Sequence, residues 1–473
     1  MKKKNKIKVL MVAAECAPFA KVGGLADVAG SLPPALLKLD VDVRVIMPLY
    51  GSIDREKYKL KKIYTDFEVP SGYLMIKVNI WEAKLPGTAV KIYFIDAPDY
   101  FKYEDVYIKS SNSERFLFFS YTALYSLPIL RFIPNIIHCH DSHAALIPDI
   151  LAASNMRFLE GIKTLYTIHN LNYQGKTSPE VLRTGNLNLK STKVLSRDAR
   201  NGDINFMVQG ILTADIINTV SKTYAKEITT SFYGADLEKI IHSRKTDLYG
   251  ILNGIDTKIF DPAKDKLICK NYTAESLENK KLNKFALQKK LKLPVSPDIP
   301  LVGLISRLYW QKGLELINNN LHKLNCQFVF LGAGQQKYEK SLLKLAKKYP
   351  KQFSVNVKFS NQLAQEIYAG SDMFLMPSRY EPCGLGQMIA MRYGTVPVVR
   401  ATGGLVDTVA AGAGFKFKQF SAEELYKTLE KTINIYANQP KKWQKMQING
   451  MKKDFSWSKS AKEYLKLYKK LST

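Results

Sequence analysis

The chain has 473 residues, 46% of them hydrophobic, and carries 70 Lys and Arg against 42 Asp and Glu, a formal charge of +28. That length and apolar content exclude a disordered or fibrous chain and favour a globular protein of two or more domains, while the early apolar run 7–14 is too short, and too soon broken by Glu15, for a membrane span or a leader. The lysines are spread over the whole chain, with local runs at Lys2 to Lys4 and near the C-terminus, so the charge reads as solvated surface with no specific nucleic-acid partner.

In chain order, apolar strand-like runs alternate with helical patterns at the spacing of βαβ units. The first half gives strands at 7–14, 41–47, 91–95, 136–139, 163–168 and 216–219. The first of these leads into Lys21-Val22-Gly23-Gly24-Leu25-Ala26-Asp27-Val28. A loop ending in two glycines, with a helix starting near Leu25, sets backbone N–H groups at the head of a helix dipole, which suits a phosphate, and Lys21 would act on the same anion. A Gly-Gly pair at such a turn serves tight packing equally well.

Two further turns follow strands, His138-Cys139-His140-Asp141-Ser142-His143 and Thr167-Ile168-His169-Asn170-Leu171-Asn172-Tyr173-Gln174-Gly175. Three close histidines invite a metal-site reading, but no partner set at metal spacing accompanies them, so no metal is expected. Five scattered cysteines (Cys16, Cys139, Cys269, Cys326, Cys383), odd in number, fit a reducing cytoplasm.

The turn-rich segment Leu248-Tyr249-Gly250-Ile251-Leu252-Asn253-Gly254-Ile255-Asp256 marks a domain boundary near Gly250, and a fresh series of strands follows at 301–305, 327–331, 354–359, 373–376 and 396–399. The expected fold class is therefore α/β, with two doubly wound domains (1–250 and 251–457) whose sheet edges share a cleft, and a last helical segment (458–473). In that last segment Tyr464, Leu465, Leu467 and Tyr468 have the spacing of a packed helix face.

In the second domain Ser306-Arg307-Leu308-Tyr309-Trp310-Gln311-Lys312-Gly313 comes straight after a strand. Either cation alone would serve a surface ion pair; five residues apart in one loop, Arg307 and Lys312 can grip a diphosphate jointly. The run Arg379-Tyr380-Glu381-Pro382-Cys383-Gly384-Leu385-Gly386-Gln387, followed by the diglycine Gly403-Gly404, reads as a binding loop around the carboxylate of Glu381.

This series of motifs, in this order and over nearly the whole chain, resembles the bacterial glycogen synthases and the related plant starch synthases, retaining glycosyltransferases of the GT-B fold. The turns that carry it are the Lys21–Val28 loop, His140-Asp141, His169-Asn170, Gly250–Asp256, Arg307…Gln311-Lys312-Gly313, Glu381-Pro382-Cys383-Gly384-Leu385, Gly403–Thr408 and Asp454-Phe455-Ser456-Trp457. The resemblance implies an acceptor-side first domain, a nucleotide-sugar-binding second domain and a C-terminal helix packing back on the first. It implies ADP-glucose as donor, the non-reducing end of an α-1,4-glucan as acceptor, release of ADP with retention, a cytoplasmic location, and neither metal nor pyridoxal phosphate as cofactor.

By the same resemblance, Arg307 and Lys312, helped by Lys21 and the Gly23 and Gly24 amides, would neutralise the leaving ADP. Glu381 would lie near the sugar, in a donor loop with Cys383, Gly384 and Leu385; His169 and Asp141 would lie at the glucose, and Asn112, Tyr173 and Gln174 on the acceptor side. The chain departs from the family pattern at Val22, Ser142, Val208, Gln209 and Gly386, and in shorter loops before Asn112 and after Thr408. Ile389, eight positions after Glu381, takes the place of the second Glu of other retaining relatives. A transferase using UDP-glucose, and a non-catalytic glucan- or polyanion-binding protein, are the other two readings.

Overall fold

The structure, a computed structural model, describes residues 6–108 and 111–472, so the Lys2 to Lys4 run lies outside the described residues. The chain divides into two compact units, Met1–Gly254 together with Trp457–Thr473, and Ile255–Ser456. The first unit thus extends four residues past Gly250, because Leu248–Gly250 is an edge strand of its sheet, and it takes in Trp457.

The first unit is built on nine strands: β1 (Lys8–Val12), β2 (Asp42–Pro48), β3 (Lys61–Ser71), β4 (Leu74–Lys84), β5 (Lys91–Asp96), β6 (Ile136–His140), β7 (Lys163–Ile168), β10 (Ile216–Thr219) and β11 (Leu248–Gly250); the short β8 (Lys176–Thr177) and β9 (Ile204–Asn205) pair separately. Their order is β11-β10-β7-β6-β1-β2-β5-β4-β3, parallel throughout except for the antiparallel edge β5-β4-β3. The central strands are predominantly apolar and almost wholly buried, as crossover helices on both faces require. The hairpin β3–β4 went unread in the sequence because β3 is exposed over most of its length and has no buried face to enforce alternation.

Trp457–Leu471 is a helix whose buried residues (Trp457, Ser460, Ala461, Tyr464, Leu467, Tyr468, Leu471) recur every three or four positions, and it packs on the helix Gly24–Leu37. Polar contacts fix its register. The Tyr468 hydroxyl lies 2.8 Å from His138 Nδ1, Asn218 Nδ2 donates to the Tyr464 hydroxyl at 3.3 Å, and Ser460 Oγ donates to the Leu252 carbonyl at 2.5 Å.

The second unit holds six parallel strands, β12 (Leu301–Ile305), β13 (Gln327–Leu331), β14 (Phe353–Asn356), β15 (Met373–Met376), β16 (Val396–Arg400) and β17 (Phe415–Phe417), in the order β14-β13-β12-β15-β16-β17. Strand β14 ends at Asn356, short of the expected 359, and Phe359 is left 85% exposed beyond it. Each sheet reverses its winding once: the chain moves from β1 to β2 on one side and places β6 on the other, and likewise moves from β12 to β13 before placing β15 opposite. The crevice outside the strand ends at such a switch point is where ligands of open α/β sheets bind.

At the second switch point two loops lock together through their backbones. The Gly404 N–H donates to the carbonyls of Glu381 (3.1 Å) and Pro382 (3.2 Å), and Gly403 has φ +46°. A Cβ on Gly403 would overlap the Glu381 carbonyl oxygen, and one on Gly404 the Cys383 carbonyl oxygen. These glycines therefore admit a neighbouring peptide, and the packing reading of the diglycine applies here.

Two outcomes follow from this packing. Deletion of the chain from Trp457 onward uncovers the face of Gly24–Leu37 and leaves His138 Nδ1 without its hydroxyl, and should abolish the cooperative thermal transition of the first unit; a truncated protein that melts like the intact one would contradict this. Gly403→Ala, which meets both a positive φ and an occupied space, should cost at least ~2 kcal/mol in urea denaturation, whereas Gly24→Ala, whose Cβ meets nothing within 4 Å, should leave the midpoint unchanged.

Candidate active site

In the first unit the predicted residues gather at the ends of β1, β6 and β7, three adjacent strands. Asp141 follows β6 in a strained conformation, φ +53°, of a kind that surrounding structure must hold in place. Its Oδ1 accepts the backbone N–H of His169 (2.7 Å) and of Asn170 (3.3 Å), which ties the end of β6 to the end of β7. Burial pushes the Asp141 carboxyl up to about 7, opposed by those two N–H groups and reinforced by the charge of Glu15. Burial lowers His169 to about 3, and its Nε2 lies 2.9 Å from His140 Nδ1.

The loop after β1 is organised by Glu15, which sequence reasoning treated only as the end of a strand. Glu15 is 2% exposed; its Oε2 accepts the N–H groups of Val22 (2.6 Å) and Gly23 (2.8 Å), and its Oε1 accepts the Tyr107 hydroxyl. The Gly23 amide assigned above to a phosphate is thus engaged by a carboxylate of the chain itself. Gly24 opens the helix Gly24–Leu37 with unfilled space where a Cβ would stand. Lys21 is half-exposed and donates to Asp27 Oδ1 at 2.6 Å, a surface pair worth only ~0–1 kcal/mol and easily exchanged.

The acceptor-side residues divide. Tyr173 is 46% exposed. Both ends of the Gln174 amide are used in the fold, Nε2 donating to the Ala235 carbonyl (2.7 Å) and Oε1 accepting from Asn205 Nδ2 (2.6 Å). Asn112 Oδ1 likewise accepts the Ile108 N–H (2.7 Å) and Arg115 Nη1 (3.3 Å), so Gln174 and Asn112 hold loops in the structure.

In the second unit the residues flank the switch point between β12 and β15. Arg307 follows β12, is exposed, and its guanidinium has no ion pair or hydrogen bond among the described residues. Lys312 Nζ lies 2.7 and 3.0 Å from the two carboxylate oxygens of Glu381, after β15, and Ser378 Oγ donates to Oε2 at 2.9 Å. The cation expected to share a diphosphate with Arg307 is here held by Glu381, with both partners largely buried.

The loop under Glu381 is clamped at several points. Arg400 Nε donates to the Ser378 carbonyl (2.7 Å), and Gln387 Nε2 donates to the carbonyls of Cys383 (3.1 Å) and Gly384 (2.9 Å). Cys383 is buried, Gly384 has φ +72°, and Leu385 is the residue before the short helix Gly386–Arg392. A Cβ on Gly386 would stand 2.9 Å from the Phe374 ring, which explains glycine at that departure from the family pattern.

Sequence reasoning missed Glu15, Ser378, Arg400, Gln387 and Phe359. Arg400 joins two loops, Ser378 and Gln387 brace one loop from within, and Glu15, a charge directly after a buried strand, carried a local signal. Among the described residues no group of three or more His, Cys, Asp or Glu is placed to hold a metal ion, and no helix is long and apolar enough to cross a membrane.

Comparison with known proteins places this geometry. The Starch synthase catalytic domain family matches residues 8–243, and the family of Glycosyl transferases group 1 matches residues 288–452. The glycogen synthases of Thermotoga maritima and Desulforamulus reducens are each 44% identical to the chain, over 98% of its length and 99% of theirs. The catalytic domain of starch synthase IV from Arabidopsis thaliana, solved with ADP and acarbose, superposes with a TM-score of 0.92 at 32% identity, over 99% of this chain and 100% of that one. Sucrose-phosphate synthase from Thermosynechococcus elongatus, 17% identical with a TM-score of 0.62 over 98% of this chain and 99% of that one, shares the fold alone. Two doubly wound units, matched over nearly their full length by such relatives, establish a GT-B fold, and the chain belongs to the glycogen and starch synthase family of glucosyltransferases.

Proposed function

We propose that this enzyme lengthens an α-1,4-glucan by transferring glucose from ADP-glucose to the 4-hydroxyl at the non-reducing end, retaining the α configuration and releasing ADP. The observation that carries the reading is the Lys312–Glu381 ion pair, with Arg307 unengaged, at the switch point of the second sheet. A cation paired with a carboxylate and a second, unpaired cation in the same loop suit a nucleotide sugar: the cations meet the diphosphate and the carboxylate lies toward the glucose. The ADP bound to the starch synthase IV domain supports adenine as the base, and the exposed ring of Phe359 beyond β14 offers a flat apolar surface at the same edge.

In this reading the bond between glucose C1 and the ADP oxygen breaks while the acceptor oxygen bonds to C1 on the same face, and the acceptor's proton passes to the departing phosphate. The demand on the protein is to stabilise diphosphate charge and an oxocarbenium-like sugar in a site shielded from water. Arg307 and Lys312 neutralise the diphosphate without a metal. Arrival of the diphosphate draws Lys312 away from Glu381, whose freed charge faces the developing cation. Asp141 fixes the His169 turn, and His169 contacts the glucose; Cys383, Gly384 and Leu385 supply the loop around it, and Tyr173 the acceptor side.

Lys312→Ala should lower kcat by ~2–5 kcal/mol of transition-state stabilisation, measured as glucan-dependent ADP release, and Glu381→Ala should lower it comparably. Release from ADP-glucose should exceed that from UDP-glucose; glucan binding with no turnover of either would replace the reading by that of a non-catalytic binder.

The Asp141 carboxyl gives a pH dependence with a definite sign. Its folded value, about 7, exceeds the unfolded value of about 4, so folding takes up a proton between those limits and stability falls as pH rises across them. Activity that needs the carboxylate should rise with pH through a limb near 7 in kcat. Asp141→Asn should remove both the limb and that slope of stability, and an unchanged pH–rate profile in the variant would assign the limb elsewhere.

A further inference from the structure

A file of buried polar side chains runs through the first unit from the C-terminal helix to His169, and its hydrogen bonds can be satisfied in one proton arrangement. Thr167 Oγ1 donates to Asn218 Oδ1 at 2.5 Å, so it accepts from His138 Nε2, 2.6 Å away. His138 Nδ1 then accepts from the Tyr468 hydroxyl at 2.8 Å. The His138 ring, locked at both nitrogens, lies 4.1 Å centroid to centroid from the ring of His140 and holds it in place.

His140 Nδ1 and His169 Nε2 are 2.9 Å apart, so one of them carries the proton between them. Burial lowers both imidazoles well below their ordinary value, which leaves each ring neutral, with one proton, at pH 7. His140 Nε2 is buried and has no hydrogen-bond partner among the described residues. If His169 donated from Nε2, His140 would have to carry its own proton on Nε2, and a polar N–H would be buried without an acceptor. The opposite arrangement leaves only a bare lone pair there, the cheaper of the two states in an apolar setting.

We infer that His140 is a positioning residue that donates Nδ1–H to His169 Nε2 and thereby fixes His169 as its Nδ1–H tautomer. His169 then has no lone pair to offer. Its Nε2 is occupied and its Nδ1 carries a hydrogen that bonds to no group among the described residues. The residue serves as a neutral hydrogen-bond donor to a ligand oxygen and does not act as a general base. This assignment rests on the reading above that His169 faces the sugar.

The test is long-range 15N–1H correlation of the histidine rings in the full-length protein, selectively labelled and free of ligand; with six histidines in the chain, single substitutions assign each ring. His140 and His169 are both expected as Nδ1–H tautomers, and His169 protonated at Nε2 in the native protein would overturn the inference. His140→Asn, whose amide nitrogen takes the place of imidazole Nδ1, should keep the His169 tautomer and hold kcat within about threefold. His140→Leu should release His169 to the Nε2–H form and lower kcat on the order of 10²-fold, with KM for ADP-glucose little changed. A folded His140→Leu variant with unaltered tautomer and turnover would also overturn it, and should that variant not fold, the native spectrum decides alone. Full turnover in His169→Ala would remove His169 from the site while leaving the tautomer result intact, so the two failures are distinguishable.

Discussion

The Glu381 loop of the second unit depends on one backbone contact, the pressing of Gly403 and Gly404 against the carbonyls of residues 381–383. Because peptide meets peptide there with no side chain between them, the carboxylate of Glu381 leaves its loop from a surface that cannot drift. Arg400 and Gln387 close the same loop from other directions by binding its carbonyls, so its polar backbone groups are satisfied inside the protein. Only with that loop fixed can Lys312, whose own turn is set by Gly313 at φ +66° and by the Gln311 carbonyl accepting the Arg379 N–H, meet both oxygens of Glu381.

The first unit solves a related problem with charge. A loop that presents successive N–H groups at the head of a helix would be unsettled with no anion in it, and Glu15 supplies the anion from the neighbouring strand end. The carboxylate is itself buried, and it is satisfied by three donors, two amides and the Tyr107 hydroxyl. The loop is therefore held by the chain's own carboxylate, with the Val22 and Gly23 amides already engaged.

Much of this architecture was legible because the buried parallel strands are predominantly apolar. The strands 163–168, 216–219, 301–305, 327–331 and 373–376 have the same bounds in sequence and structure. The edge hairpin β3–β4 was invisible for the converse reason, since strand pairing on an exposed face leaves no hydrophobic pattern. The motifs fall at the strand ends of the two sheets, but their contacts could not be read from the sequence. Arg307 and Lys312 look equivalent as two cations in one loop, yet one is unengaged and the other is bound to a carboxylate 69 residues away. Gln174 is engaged by Ala235 and Asn205, distant in sequence, whereas Asn112 is engaged by its near neighbours Ile108 and Arg115. His140 stood in a turn that carries the family resemblance, but the role inferred for it depends on a nitrogen 29 positions along the chain and on a buried edge without a partner among the described residues.

The helix that completes the first unit is made after the whole of the second. During synthesis the chain up to Gly254 leaves the ribosome long before Trp457, with the underside of Gly24–Leu37 uncovered and His138 and Asn218 lacking the two tyrosine hydroxyls that engage them. The second unit, Ile255–Ser456, is contiguous and contains every strand of its own sheet, so it can close while the earlier half still waits. The half bearing His169 and Asp141 therefore reaches its final packing only after the whole of the second unit has been made.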